Sequence, residues 1–307
     1  MALRTLVAYR ALGLGDLLTA VPALRALARA FPGHRRVLAG PAALAPLARL
    51  ADPELEVVDC APLAPLPPSL HFADVAVNLH GRGPQSHALL AAARPSRLIA
   101  FGVGGVEFEA GEHEVARWCR LLSESGLPAD PAQLTLPAPP WRAPAVAAGA
   151  TVVHPGAASA ARRWPARRWA AVARAEREAG RRVVVTGSAA ERGLAETVAG
   201  AAGLGAGAVL AGRTDARGLA ATVAAAARVA AGDTGVSHLA TAFGVPSVTL
   251  FGPTPPSLWG PPESPRHVAL WAGRRGDPHA HRPDPGLLEL EPAQVITALA
   301  WVDRVRS

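Results

Sequence analysis

The chain has 307 residues, of which 50% are apolar and 18% are charged, and this length allows two domains with full cores. It contains no lysine, so all 31 of its basic residues are arginines, and its formal net charge is +7. A positive charge favours anionic partners. However, the arginines are spread along the chain and only 5% of the residues are aromatic, which argues against a nucleic-acid-binding protein. A ligand that carries phosphate, or an anionic membrane surface, fits this composition better.

The two cysteines, Cys60 and Cys119, stand far apart in neither a metal-binding nor a redox spacing. They predict two buried thiols in a reducing compartment. No basic and then apolar leader opens the sequence. The alanine-rich run over residues 219–231 contains Arg228 and is too weakly apolar to span a bilayer. We therefore expect a cytoplasmic monomer that at most touches the membrane from inside.

Strands and helices alternate through the first half of the chain. Short β-rich apolar runs predict strands, and apolar residues at helical spacing predict helices. The predicted strands cover residues 3–9, 36–39, 55–58, 73–78 and 98–101. The predicted helices cover residues 17–31, the segments that end near residues 50 and 92, and residues 112–125.

A glycine turn follows the first predicted strand. Gly13 and Gly15 suggest a dinucleotide-binding loop, but Leu18 stands where that motif has its third glycine. The acidic residue expected after the next strand is also missing, so the pattern argues against a nicotinamide site. Asp16 lies where the helix begins, and an acid there stabilises the dipole of any helix.

The loop after residues 73–78 is dense in polar side chains. It contains Asn78, His80, Arg82 and His87. Because such groups are costly to bury without partners, this loop is expected to face water or a polar ligand.

The second half repeats the alternation after a proline-rich linker at residues 133–148. Its predicted strands cover residues 151–153, 182–186, the segment that ends at residue 230, and 247–251. Its predicted helices cover residues 166–179, a segment that starts at 187–188, and residues 215–226, 235–243 and 292–305. This alternation predicts an α/β protein of two doubly wound domains that face one cleft.

The most informative turn is Gly-Asp-Thr-Gly-Val-Ser-His at residues 232–238. Thr234 is placed to cap a helix whose first N–H groups, on Gly235, Val236 and Ser237, would be free. With the side chains of Thr234, Ser237 and His238 beside them, these groups form an anion site, and phosphate is its commonest occupant. Taken by itself, the turn fits an ordinary capped helix equally well.

Three other loops of the second half are predicted to meet this turn at the carboxyl ends of the strands. They contain His154 with Gly156, Thr186 with Gly187 and the nearby Glu191, and Phe-Gly-Pro-Thr at residues 251–254. Arg162 and Arg163 follow the first of these loops, and arginine pairs with phosphate in a bidentate manner. Glu191 is placed either to bind ribose hydroxyls or to lie exposed on a helix.

One histidine pair raises the question of a metal. His279 and His281 lie near Asp277. A polar loop is the favoured interpretation, because no fourth ligand has a visible spacing.

Several motifs together resemble glycosyltransferase family 9, the family of ADP-heptose:lipopolysaccharide heptosyltransferases. The resemblance covers nearly the whole chain. In the first half it rests on Leu-Gly-Leu-Gly-Asp-Leu at 12–17, Pro-Ala-Leu-Arg at 22–25 and Asn-Leu-His-Gly-Arg-Gly at 78–83. In the second half it rests on His-Pro-Gly-Ala at 154–157, Arg-Trp-Pro at 163–165, and the segments 232–238 and 251–254.

The resemblance implies a GT-B fold of two Rossmann-like domains. Residues 1–140 would bind the acceptor, residues 150–290 would bind the nucleotide sugar, and a helix over 291–307 would pack back on the first domain. The implied activity is inverting transfer of a sugar, heptose by kinship, from an ADP-sugar to a hydroxyl of a glycan, a lipopolysaccharide-core-like sugar or a metabolite. No cofactor and no obligatory metal are implied.

The resemblance also implies roles for individual residues. Asp16 matches the general base, and Glu191 falls near the acid that binds ribose. Arg162 stands where the family usually has lysine. The residues expected to bind the diphosphate are Arg162, Arg163, Asp233, Thr234, Gly235, Val236, Ser237 and His238. Those expected to bind the nucleoside are His154, Gly156, Thr186, Gly187 and Glu191. Those expected to bind the acceptor or the sugar are Gly15, Asn78, His80, Arg82 and His87.

Two other classes of function remain open at this stage. A non-catalytic protein that binds a sugar nucleotide would keep the donor site without turnover. An NAD-dependent oxidoreductase is the weaker alternative, because the glycine motif at residues 13–18 is incomplete.

Overall fold

The computed structural model describes residues 4–304. The chain divides into two compact units, Met1–Leu136 and Pro137–Ser307. The division falls within the proline-rich stretch that predicts a linker, where prolines interrupt the hydrogen-bonding pattern of both helices and strands.

The first unit contains one sheet of five parallel strands. They are β1 (Thr5–Tyr9), β2 (Arg35–Gly40), β3 (Glu56–Asp59), β4 (Val75–Asn78) and β5 (Arg97–Ile99). The spatial order is β3-β2-β1-β4-β5, so the direction of winding reverses between β1 and β4. Open sheets of this kind bind ligands beyond the carboxyl ends of the strands at such a reversal. The loops after β1 and β4 are therefore the expected location of a site.

The helices of the first unit connect these strands. They are α1 (Leu14–Thr19), α2 (Val21–Ala30), α3 (Ala45–Ala51), α4 (Gln85–Ala92) and α5 (Glu114–Glu124). The sequence predicts one helix over residues 17–31, but the structure has a break at Ala20. The reason is Pro22, which lacks an N–H group and is accommodated in the first turn of a new helix.

The second unit also contains five parallel strands. They are β6 (Thr151–His154), β7 (Val183–Val185), β8 (Arg228–Gly232), β9 (Ser247–Phe251) and β10 (His267–Trp271). The spatial order is β10-β9-β8-β6-β7, which places the reversal between β6 and β8. The edge strand β10 is not among the strands predicted from the sequence, although residues 268–271 form a short apolar run, and its residues are only partly or not buried.

Seven helices of the second unit are described within residues 137–304. They are α6 (Ala166–Glu178), α7 (Arg192–Ala201), α8 (Ala216–Ala224), α9 (Gly235–Ala242), α10 (Pro256–Trp259), α11 (Pro285–Glu289) and α12 (Pro292–Arg304). The short helices α10 and α11 were not predicted. Over residues 4–304, none of the helices combines the length and apolarity needed to cross a membrane.

The last helix, α12, packs within the second unit, and the prediction that a helix over residues 291–307 packs back on the first domain stays a prediction. Its buried residues Val295, Leu299 and Val302 belong to the core of the second unit, where the helix packs on α6, β8, β9 and β10. An apolar stripe on a helix is buried against the nearest apolar surface, and here that surface is the second sheet.

The helix predicted to start at residues 187–188 begins four residues later, at Arg192. Glu191 precedes it, and its carboxylate accepts hydrogen bonds from the N–H and the hydroxyl of Ser188, both at 2.8 Å. This side chain closes a turn, so Glu191 lies in the loop after β7 rather than on the helix.

Candidate functional site

The loops after β6 and β8 meet at the reversal point of the second sheet. Arg162, from the loop after β6, donates from Nη1 to the backbone oxygen of Asp233 at 3.2 Å, and the same nitrogen lies 3.8 Å from Asp233 Oδ2. The loops approach closely, since a Cβ atom placed on Gly232 would lie 3.3 Å from the backbone oxygen of Arg162. The strand order thus brings the predicted arginine to the predicted anion turn.

Two buried polar groups at this meeting point lack a partner within residues 4–304. They are Nε of Arg162 and the hydroxyl oxygen of Thr234. A buried donor without a partner costs about 1–3 kcal/mol. Donor groups of this kind in the loops at a sheet reversal are suited to an anionic ligand that accepts their hydrogen bonds.

The turn before α9 differs from the prediction in one respect. Thr234 occupies the N-cap position without a side-chain capping bond. The N–H of Ser237 is not free, because it donates to the backbone oxygen of Thr234 at 3.1 Å, and the Ser237 hydroxyl donates to the same oxygen at 2.7 Å. Gly235 and Val236 precede it at the start of the helix, where N–H groups point out of the end. The predicted diphosphate site therefore relies on these two residues rather than on three.

The remaining predicted diphosphate residues lie at the rim of the turn. Arg163 is exposed, and its Nε donates to the backbone oxygen of Ala157 at 2.8 Å. His238 is partly buried, and its ring lies 5.9 Å from the ring of Trp259 in an edge-on arrangement. Arg163 lies in the loop after β6, whereas His238 lies in the first turn of α9.

The predicted nucleoside residues come together after β6 and β7. His154 and Thr186 are buried, and His154 Nδ1 lies 3.0 Å from the hydroxyl oxygen of Thr186. Glu191 lies over Gly156, where a methyl group would overlap the carboxylate. Gly187 also lies near this side chain, since a Cβ atom there would lie 3.2 Å from Glu191 Cβ. Glycine at both positions leaves room for the glutamate.

His154 and Glu191 have opposite charge preferences. Burial lowers the pKa of His154, so its neutral form is favoured. Burial raises the pKa of Glu191, but the hydrogen bonds from Ser188 and the charge of Arg163 outweigh it, and the net pKa is lowered. A neutral imidazole and an ionised carboxylate together suit the hydroxyl groups of a ribose.

In the first unit, Asp16 lies at the carboxyl end of β1, at the reversal with β4. Its Oδ2 accepts from the N–H of Gly13 at 3.2 Å, and its Oδ1 lies 3.3 Å from Nη2 of Arg10. The Asp16 side chain is 28% exposed. Burial raises the pKa of Asp16, the charge of Arg10 lowers it, and Glu114 raises it, with a net rise. A half-buried carboxylate with a raised pKa is suited to accept a proton.

The polar loop after β4 adjoins this carboxylate. The ring of His80 stacks on Tyr9, with ring centroids 4.6 Å apart. Burial lowers the pKa of His80, and Arg10 lowers it further. Asn78 is fully buried, and its amide donates to the hydroxyl of Ser86 at 2.9 Å. Asn78 therefore supports the loop, whereas His80 faces the end of the sheet.

The other predicted acceptor residues lie around the same loop. Arg82 is exposed and His87 is partly buried. Burial lowers the pKa of His87. Nδ1 of His80 and Nε2 of His87 are buried without a partner in the part of the chain that the structure describes. Gly15 lies within α1, one residue before Asp16.

The histidine pair near residue 280 shows no metal geometry. Asp277 instead accepts a hydrogen bond from the backbone N–H of His279 at 2.8 Å, and both histidines are exposed. Among residues 4–304, no group of three or more histidine, cysteine, aspartate or glutamate residues is arranged to hold a metal.

The sequence model of one family, described as glycosyltransferase family 9 (heptosyltransferase), matches residues 87–287. The match covers more than half of the chain. The chain belongs to glycosyltransferase family 9. The matched range contains every predicted donor residue of the second unit. Asp16, Asn78, His80 and Arg82 precede it. No curated protein sequence matches the chain.

Solved structures show the same fold along almost the whole family 9 chain. ADP-heptose lipopolysaccharide heptosyltransferase II from E. coli is 19% identical and has a TM-score of 0.78, with 99% of this chain and 100% of that chain covered. A family 9 glycosyltransferase from Veillonella parvula is 18% identical and has a TM-score of 0.77, with coverages of 99% and 98%. The E. coli heptosyltransferase WaaC with ADP-2-deoxy-2-fluoro heptose is 19% identical and has a TM-score of 0.69, with coverages of 99% and 100%.

These matches confirm the α/β class and the GT-B fold predicted from the sequence. Family membership confirms the prediction that the chain is a glycosyltransferase. It also sets aside the NAD-dependent oxidoreductase that the glycine motif had left open.

Two side chains of the first unit were missed in the sequence. Arg10 is 3% exposed and Glu114 is 5% exposed, and they pair at 2.9 Å beside Asp16. The available signal was the position of Arg10 directly after a buried strand. Glu114, however, lies 104 residues away from Arg10, and no local pattern connects the two.

Proposed function

We propose that this family 9 enzyme transfers a sugar, with inversion at the anomeric carbon, from an ADP-sugar to a hydroxyl group of an acceptor. Heptose is the proposed sugar, because one similar structure contains an ADP-heptose analogue. The proposed acceptor is a sugar hydroxyl of a glycan, such as a lipopolysaccharide core.

The second unit would bind the donor. The observation that carries this proposal is the contact of Arg162 with the Asp233–Thr234 turn. There, Nε of Arg162 and the hydroxyl of Thr234 are buried and have no hydrogen-bond partner within residues 4–304. The diphosphate would bind to the guanidinium groups of Arg162 and Arg163 and to the first N–H groups of α9. His154 and Glu191 would bind the ribose hydroxyls. Positive groups held beside the departing diphosphate stabilise the charge that develops in the transition state.

The first unit would supply the base. The acceptor hydroxyl attacks the anomeric carbon, a new carbon–oxygen bond forms, and the bond from that carbon to the diphosphate breaks. The hydroxyl proton moves to the Asp16 carboxylate, and ADP departs with the bonding electron pair. His80, Arg82 and His87 would orient the acceptor.

The proposed reaction does not require a metal ion, because the arginine side chains would neutralise the negative charge of the departing diphosphate. Its direct test is activity in excess chelator, which we expect to equal the activity without chelator. We further propose a cytoplasmic monomer with peripheral membrane contact. Both cysteines are free buried thiols, which suits a reducing compartment.

The deciding experiment measures ADP release from ADP-heptose in the presence of candidate acceptors. Asp16→Asn removes the proposed base without changing the side-chain volume. We expect the turnover rate to fall by roughly 10²–10⁴-fold, while ADP affinity stays at the value of the unmodified enzyme. Transfer by Asp16→Asn within a few-fold of the unmodified rate would disprove the assignment of the base. ADP binding without release from the sugar, with every acceptor, would favour the non-catalytic binding protein.

A further inference from the structure

The guanidinium group of Arg10, which follows β1, connects that strand end with α1, with the loop after β4 and with α5. It donates to the backbone oxygen of Asp16 at 2.5 Å and to the hydroxyl of Thr19 at 3.2 Å, both on α1. It also donates to the backbone oxygen of Leu79, after β4, and to Glu114 Oε1, on α5, at 2.9 Å. An arginine that is 3% exposed and makes all these bonds fixes the position of α1 relative to the sheet.

Glu114 is the counter-ion in this network. Its Oε1 also accepts from the indole N–H of Trp118 at 2.9 Å, and its Oε2 pairs with Arg117. Three donors thus hold a carboxylate that is 5% exposed. Three donors of this kind fix the orientation of the carboxylate. Arg10 therefore divides its charge between Glu114 and Asp16.

The bonds to Asp16 differ in length in an informative way. The bond from Arg10 to the Asp16 backbone is short, at 2.5 Å. The bonds to its carboxylate oxygens are long, at 3.3 Å from Arg10 and 3.2 Å from the Gly13 N–H. Arg10 thus holds the backbone of Asp16, while the long bonds leave the carboxylate able to accept one proton on either oxygen.

We propose that Arg10 and Glu114 act as a positioning pair that holds Asp16 ready to accept a proton, with Glu114 drawing charge from Arg10 so that Asp16 remains a usable base. This inference rests on the proposed function of Asp16. Neither residue is assigned any contact with the substrate.

Two charged groups act on the titration of Asp16, Arg10 at the end of β1 and Glu114 on α5. Arg117, on α5, pairs with Glu114, and His80, in the loop after β4, is affected by the charge of Arg10. Burial raises the pKa of Asp16, Arg10 opposes the rise, and Glu114 adds to it. Removal of Arg10 and removal of the Glu114 charge should therefore move the titration of Asp16 in opposite directions.

The experiment is the pH profile of kcat/KM for three enzymes: unmodified, Arg10→Met and Glu114→Gln. Because Arg10 favours the ionised form of Asp16, its loss moves the acid limb of the profile to higher pH. Because Glu114 disfavours that form, its neutralisation moves the acid limb to lower pH. In Arg10→Met, kcat falls roughly 10–100-fold because the base is displaced, while KM for the ADP-sugar changes less than threefold.

Arg10→Lys separates charge from geometry. Lysine keeps the positive charge but places it at one point, so it cannot reach all the acceptors that the guanidinium fork reaches. We expect the acid limb to return toward that of the unmodified enzyme while kcat stays depressed. If near-ultraviolet circular dichroism shows that Arg10→Met does not fold, the isosteric variant Glu114→Gln tests the proposal alone. We expect the acid limb of its kcat/KM profile to lie at lower pH than that of the unmodified enzyme.

Unshifted acid limbs, or shifts in the same direction in both variants, overturn the positioning pair. Asp16→Asn separates the two levels of inference. If Asp16→Asn is inactive and the limbs do not move, the pair is wrong and the base assignment stands. If Asp16→Asn is fully active, the base assignment itself fails, and the pair fails with it.

Discussion

Arg162 is the residue through which the loops after β6 and β8 meet. Its guanidinium contacts the backbone of Asp233 at 3.2 Å, and its Nε is buried without a partner within residues 4–304. Arg162→Ala should weaken ADP binding roughly 10–100-fold, since a hydrogen bond to a charged group contributes about 1.5–3 kcal/mol. Isothermal titration with ADP measures this loss.

The control for Arg162→Ala is Arg167→Ala, which removes an exposed arginine from the first turn of α6. Arg167→Ala should leave ADP affinity unchanged. Arg162→Lys should recover part of the affinity, because it keeps the charge but loses the fork. Equal ADP affinity in Arg162→Ala and the unmodified enzyme would exclude Arg162 from the diphosphate site.

Gly156 is required by the position of Glu191. A methyl group at residue 156 would overlap the Glu191 carboxylate, so this side chain must move and give up its two hydrogen bonds from Ser188. Gly156→Ala should therefore lower the free energy of unfolding by about 1–3 kcal/mol. It should also weaken ADP binding several-fold, because Glu191 leaves the proposed ribose position.

Gly193→Ala is the matched control for Gly156→Ala. Gly193 lies in α7, and a Cβ atom there would meet nothing within 4 Å. Since alanine favours a helix over glycine by about 0.8–1.0 kcal/mol, this variant should be slightly more stable and bind ADP as before. Unchanged ADP affinity in Gly156→Ala as well would remove Glu191 from the nucleoside site.

Helix α12 contributes buried side chains to the core of the second unit, and two substitutions on it test this contribution. Leu299 is fully buried in the core under β8 and β9, whereas Trp301 is 49% exposed. Leu299→Ala should reduce the free energy of unfolding of this unit by about 2–5 kcal/mol. Trp301→Ala should change it by less than about 0.5 kcal/mol. Urea denaturation followed by circular dichroism compares the two, and similar losses would contradict the burial of α12 in this core.

Helix α9 shows how an element sets the donor site. It begins directly after β8 and its first residues are Gly235 and Val236. Ser237 donates both its N–H and its hydroxyl to the backbone oxygen of Thr234. The proposed anion site at this end therefore depends on the N–H groups of Gly235 and Val236 and on the Thr234 hydroxyl, which has no partner within residues 4–304.

At the scale of the whole molecule, buried histidines give stability a pH dependence. Burial lowers the pKa of His80, His87, His154 and His267, and brings that of His267 to about 4. In the unfolded chain a histidine titrates near 6.5. Below that pH these histidines bind protons in the unfolded chain but stay neutral in the folded chain until the pH is lower. Stability contributed by these groups is therefore present above about pH 6.5 and is lost as the pH falls from there toward 4.

The test compares urea unfolding at pH 7 and pH 5. The enzyme should be less stable at pH 5, and His267→Asn should lose less stability between the two values than the unmodified enzyme. Asparagine can keep the hydrogen bond to Ser247, which lies 2.9 Å from His267 Nδ1. His281→Asn, at an exposed position, controls for the loss of one histidine. The same loss of stability in His267→Asn and the unmodified enzyme would show that His267 does not contribute.

Much of the architecture is predictable because strands and helices are local patterns. The apolar run that ends at Phe251 and the helical spacing within residues 166–179 each predict an element that the structure contains, as β9 and α6. Family motifs likewise predict the GT-B fold and the glycosyltransferase class, since they record backbone turns that need particular residues. Element ends and the short elements β10 and α11 are not predicted, because five residues are too short a window for a periodic pattern.

The sequence by itself determined the parallel α/β units, the turn chemistry at residues 232–238 and the family of the chain. Only the tertiary structure decided which side chains meet. Arg162 and Asp233 are 71 residues apart in the chain, and Arg10 and Glu114 are 104 apart. Such pairs arise from strand order and helix packing, which place distant loops side by side at a sheet reversal. Local periodicity carries no record of that placement, because it depends on how all the strands share one sheet.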